Sequence, residues 1–75
     1  MSKKDFQNVA TILGRSLAQA WIDGGEDRRT DFYDRAYRPI VEMMIREYPR
    51  FDPLRFAGFV GAIETAHIAK LRETA

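Results

Sequence analysis

The sequence predicts an all-α fold, and three observations predict it. Apolar residues recur at i, i+3 and i+4 in three segments, the pattern of helices with one buried face. Gly24-Gly25 and Pro49 punctuate the chain between those segments. No stretch alternates apolar and polar residues over the length of a strand. The expected architecture is a compact three-helix domain with helices at 3–22, 31–48 and 53–73, the central one kinked near Pro39 and residues 1–75 forming a single domain.

The first helix carries Phe6, Val9, Ala10, Leu13, Leu17, Ala20 and Trp21 in one stripe. Ser2 and Asp5 have the spacing of a capping pair, in which a hydroxyl accepts a free backbone N–H and an acid suits the positive helix end. Gly14 lies inside this helix at a cost of about 1 kcal/mol against Ala, which a bulky neighbour would explain. Ile12 and Ile22 point away from the stripe, and such residues raise the prospect of a partner surface.

The second helix opens at Thr30 as N-cap. Phe32, Tyr33, Ala36, Tyr37, Ile40, Val41, Met44, Ile45 and Tyr48 cover more than half its circumference, so it is expected to be buried on two sides. Asp31–Arg35, Asp34–Arg38 and Glu42–Arg46 have the spacing of stabilising i, i+4 ion pairs. Pro39 removes one backbone hydrogen bond and disfavours helical geometry at Arg38, hence the expected kink.

The third helix starts at Asp52-Pro53, an acidic N-cap followed by proline at the first helical position. Phe56, Phe59, Val60, Ile63, Ala66, His67 and Leu71 form its apolar stripe. On another side Ala57, Gly61, Thr65 and Ala69 form a ridge of small residues that lets a second helix approach. Its expected partner is the first helix, near Gly14 and Ala18; a self-association seam is the alternative.

Composition narrows the function. The chain of 75 residues carries 12 basic and 11 acidic side chains, a net charge of +1, so there is no strong field for nucleic acid or membrane. Nine of the bases are Arg, which suits bidentate and interface contacts. With no Cys and one His, there is no disulfide framework or cysteine-based metal site. The acidic, glycine-containing segment from Asp23 to Asp31 lacks the ligand spacing of a calcium loop and the Gly-Lys-Ser/Thr of a phosphate loop, so it is expected to be a solvated turn. No apolar run reaches the roughly 20 residues of a membrane span, and no apolar segment follows Lys3-Lys4 as a signal peptide would require. A cytoplasmic, non-enzymatic protein without a cofactor is the expectation. A chain this short buries only roughly 60% of its unfolded surface, which makes a homodimer a natural way to gain stability.

The candidate contact residues follow. Arg46, Arg50 and Arg55 flank Pro49 with Tyr48 and Phe51 between them, a composition that grips a protein partner or, alternatively, phosphates and bases. The ordinary alternative is a turn whose aromatics are buried and whose arginines pair with Glu47 and Asp52. Trp21 and Ile22 are the next candidates. His67 sits within the third helix's apolar stripe and is expected to be a core-edge residue bonded to a tyrosine or a carbonyl. A helix-turn-helix that binds DNA or RNA is the competing reading, weakened because the third helix offers only Arg55, Lys70 and Arg72 as bases.

Tyr48-Pro49-Arg50-Phe51-Asp52-Pro53-Leu54-Arg55-Phe56 resembles the closing segment of small uncharacterised proteins of actinobacteria and their phages, which end in a pattern like N-P-R-F-D-R-x-R-F-x-x-A-x-G. Lys3-Lys4-Asp5-Phe6 followed by an amphipathic helix resembles their N-termini. Phe51, Asp52, Arg55, Phe56 and Gly61 occupy the defining positions. Those proteins stop near Gly61, whereas this chain continues to Ala75, and the middle from Gly25 to Met44 has no counterpart. The resemblance implies a small phage or host accessory protein, with no catalytic residues to carry over. Together with the candidate contact residues, the expectation is a module that binds a protein partner, in a bacterial cytoplasm if phage-derived.

Overall fold

The first turn of the chain is held as its sequence suggests. A computed structural model describes residues 2–74. The Ser2 hydroxyl accepts the Asp5 N–H at 3.2 Å, and the Asp5 carboxylate accepts the Ser2 N–H at 3.0 Å, a reciprocal capping box. The Ser2 backbone donor, with its side chain, lowers the Asp5 carboxyl below its ordinary 3.8.

From there the chain is helical over α1 (Lys3–Phe32), a π-helical turn (Tyr33–Tyr37), α2 (Arg38–Glu47) and α3 (Pro53–Thr74). The described residues are thus all-helical apart from the N-cap and the 48–52 turn, and none of the helices is long and apolar enough to cross a membrane. The count differs from the expected three separated helices. Helix runs from Lys3 to Glu47 with one non-helical residue, Gly25, inside it, and α3 is a second run. The expected boundary at Ile22 and the solvated turn from Asp23 to Asp31 are replaced by helix on both sides of one residue, Gly25.

Gly25 reverses the chain. Its φ of 72° and ψ of −155° lie in a region that only glycine occupies without strain. A straight helix from Lys3 to Glu47 would span about 67 Å at 1.5 Å per residue, whereas the longest dimension of the molecule is 40 Å. The segment after Gly25 therefore runs back along the segment before it, and Tyr48 ends beside Phe6.

Pro39 neither splits the helix nor leaves it regular. The turn immediately before it is widened to π geometry, and the Arg38 N–H bonds to the Tyr33 carbonyl five residues back. The wider turn gives the proline ring room against the preceding carbonyls. Two of the expected i, i+4 pairs are present, Arg35–Asp31 at 2.8 Å and Arg38–Asp34 at 3.7 Å. The third is not, because Arg46 turns to Glu47 at 3.4 Å.

The core joins Ala10, Leu13 and Leu17 of α1 with Tyr37, Met44, Phe56 and Val60. Burial raises the Tyr37 phenol above its ordinary 10.0. The principal interface is α1 against α3, and Gly14 is why the two come close. A Cβ there would stand 2.7 Å from Ile63 Cγ2 and 3.0 Å from the Val60 carbonyl. The small-residue ridge has no such role. Ala57, Thr65 and Ala69 are exposed, and a Cβ at Gly61 would meet nothing within 4 Å. The expectation that the ridge packs on α1 is thus corrected: α3 turns Val60 and Ile63 toward Gly14 and leaves the ridge outside. Phe59, Ala66 and Ile45, expected in apolar stripes, are exposed as well.

Three glycine substitutions separate these roles in urea denaturation. Gly25→Ala is expected to lower stability by about 1–3 kcal/mol through backbone strain. Gly14→Ala should lower it by about 1–2 kcal/mol, because overpacking exceeds the gain in helix propensity. Gly58→Ala, where a Cβ meets nothing within 4 Å, should raise it by about 0.5–1 kcal/mol.

Candidate interaction groove at the Pro49 turn

Tyr48-Pro49-Arg50-Phe51 is a tight turn, closed by the Phe51 N–H on the Tyr48 carbonyl at 2.9 Å. Proline in its second position suits the φ that such a turn needs. The turn lifts Arg50 to the surface and swings its two aromatics inward. Phe6 meets Tyr48 edge-on at 5.5 Å and stacks on Phe51 at 5.5 Å. Phe51 continues to Phe56 at 5.3 Å, Phe56 to Tyr37 at 6.2 Å, and Tyr37 to Tyr33 at 4.7 Å.

Asp52 then caps α3 as its sequence suggests. Its Oδ1 accepts the Leu54 and Arg55 N–H groups, both at 3.1 Å, and its carbonyl accepts the Phe56 N–H at 3.0 Å. This starts α3 with Arg55 and the exposed Leu54 and Phe59 (85% and 45% exposed) on its surface.

An open groove of about 900 Å³ lies between these parts. Lys3, Phe6 and Gln7 of α1, the turn from Tyr48 to Asp52, and Arg55, Phe56 and Phe59 of α3 line it. The structure therefore brings Arg50 and Arg55 together on one groove. Arg46 is not part of the lining and lies against Glu47. Among the described residues neither Arg50 nor Arg55 has an ion-pair partner, so the expected pairing with Asp52 does not form.

Trp21 lies elsewhere. It is half-buried and lines a shallow depression with Arg29, Glu64, Thr65 and Ile68, while Ile22 is 41% exposed. His67 is half-buried, and no side-chain hydrogen bond to a tyrosine or carbonyl is found for it among the described residues.

A second polar feature was missed in the sequence. Arg29 grips Glu64 with two bonds, Nε to Oε2 at 2.5 Å and Nη2 to Oε1 at 3.0 Å. Glu64 is the one buried charged residue among those described. Its hydrogen bond raises the Arg29 guanidinium further above its already high ordinary value. One signal was present: Glu64 lies four residues past Val60, on the side of α3 that faces the core. A charge there demands a partner.

The chain matches no protein-family model, and no significant match was found among curated proteins or solved structures. The groove must be read from its own chemistry. Among the described residues, no group of three or more His, Cys, Asp or Glu side chains is placed to hold a metal ion.

The Arg29–Glu64 pair ties the stretch after Gly25 to α3, with side chains 35% and 11% exposed. Glu64→Ala is expected to cost about 1–3 kcal/mol, below the value for a fully buried pair because Arg29 is partly solvated. The double variant Arg29→Met/Glu64→Leu should recover most of that loss. Urea unfolding followed by the fluorescence of Trp21, the single tryptophan, measures both.

Proposed function

We propose that this protein is a small, non-enzymatic interaction module that binds a protein partner through the groove at the Pro49 turn. The observation that carries the reading is the convergence there of Lys3, Arg50 and Arg55 around an aromatic floor, with no ion-pair partner found for either arginine among the described residues. Arginines beside a half-exposed aromatic are the composition of interface hot spots. Leu54 and Phe59 extend the apolar surface next to it. The proposed setting, a phage or host accessory factor in a bacterial cytoplasm, is supported only by the resemblance of the segment from Tyr48 to Phe56.

The helix-turn-helix alternative has less support. From Phe56 to Ala69 the sole charged residue of α3 is Glu64, and it is buried. A recognition helix needs polar and basic side chains on its outer face.

Self-association has a specific observation in its favour. The outer face of α3, with Ala57, Gly58, Ala62, Thr65 and Ala69, is exposed and uncharged. The chain exposes 5428 Å², against about 4,700 Å² for a compact monomer of its mass.

Affinity capture from an actinobacterial host lysate, with and without nuclease, tests the main reading. The baits are the native chain and Arg50→Ala/Arg55→Ala, both first shown to be folded. A protein should be retained after nuclease and lost with the variant. Capture that vanishes with nuclease transfers the function to nucleic acid. An untagged copy of the chain in the same lysate tests self-association: it should co-purify with the native bait and be lost with Thr65→Arg.

A further inference from the structure

We infer that the partner chemistry of the groove is an acidic peptide segment carrying one large apolar side chain, with its carboxylates on Lys3, Arg50 and Arg55 and its apolar group against Phe59. This rests on the groove being a protein-binding site and names what enters it.

The charges come from three parts of the chain: the first turn of α1, the tip of the Pro49 turn and the first turn of α3. The one acid in the lining, Asp52, already has its Oδ1 occupied by the Leu54 and Arg55 N–H groups. The groove therefore offers a net positive wall that an acidic ligand complements. Arginine adds the option of bidentate bonds to carboxylates.

A single small anion fits less well. The usual anion site at a helix start uses free backbone N–H groups. At α3 those groups are taken: Pro53 has none, and Leu54, Arg55 and Phe56 donate to Asp52. Only side chains remain, and they are distributed along the groove, so the complementary ligand carries several carboxylates on one chain.

Nucleic acid is disfavoured by the state of the rings. Base stacking needs free aromatic faces. Phe6 is stacked on Phe51 and meets Tyr48 edge-on, while Phe51 also contacts Phe56 and Phe56 is buried. Phe59 alone of the lining phenylalanines stays largely open. One exposed ring beside three cations suits one apolar anchor flanked by acids, the arrangement of a desolvated hot spot with a charged rim.

A displayed random-peptide library, selected against the full native chain and read by fluorescence polarisation of the enriched peptides, tests this. Enriched sequences should place Asp or Glu on both sides of a Phe, Trp or Leu. Their affinity should fall about tenfold or more with Arg50→Ala/Arg55→Ala and with Phe59→Ala. It should fall by less with Arg50→Lys/Arg55→Lys, which keeps the charge but gives up the bidentate bonds, and Arg50→Glu/Arg55→Glu should favour basic peptides instead. Circular dichroism confirms that each variant is folded. Peptides without acidic residues that still depend on Arg50 and Arg55 would overturn this inference and leave the groove a protein site. Peptides indifferent to all these changes, no enrichment at all, or displacement of bound peptide by a short oligonucleotide would overturn both.

Discussion

Six aromatic rings form an unbroken row, Tyr33–Tyr37–Phe56–Phe51–Phe6–Tyr48, and they come from four parts of the fold. The row connects the first turns of α1 and α3, the π-helical turn and the loop between α2 and α3. Each such contact contributes about 0.5–1.5 kcal/mol beyond the area it buries. In a chain this small, where the net stability of folding is a narrow difference, a cluster of that kind decides the arrangement. It also couples the fold to the proposed site, because the rings that close the fold at the Pro49 turn line the groove.

Two backbone features let the rings meet. Gly25 takes a conformation closed to other residues and sends the chain back on itself. The π turn before Pro39 carries the helix past the proline without a break, and Tyr33 and Tyr37 stay stacked on one side of it. Gly14 then admits Ile63 and the Val60 carbonyl, which brings α3 hard against α1. At the far end the Arg29–Glu64 pair joins the same elements by charge. The aromatic end is apolar in its interior and cationic at its rim, whereas the other end closes on a satisfied ion pair. That asymmetry is why the proposed interaction site is the open groove and not the Trp21 depression.

Much of this was legible in the sequence because it is local. The Ser2–Asp5 box, the Asp52 cap, the Pro49 stop and the Asp31–Arg35 and Asp34–Arg38 pairs depend on residues within four positions of one another. So do the stripe of Leu13 and Leu17 and the start of α3 at Pro53. Arg50 and Arg55 could be named for the same reason, since they flank one turn. Periodicity could not say that Gly25 would interrupt a helix for a single residue instead of opening a loop. Nor could it say that Pro39 would be met by a wider turn, because both outcomes depend on what packs against the chain on either side.

The sequence by itself determined an all-helical chain, its caps and stops, and which side chains are available for contact. Only the tertiary structure decided which faces meet. It set Gly14 against Ile63 and left the Ala57–Gly61–Thr65–Ala69 ridge outside, although both offer small residues able to admit a neighbour. It paired Arg29 with Glu64 across 35 positions and drew Lys3 into a groove with Arg50 and Arg55 while Arg46 stayed apart. The physical reason is the range of the interactions. Capping and helical periodicity act within one or two turns, whereas close approach, ion pairing and groove shape depend on how distant segments fill space together.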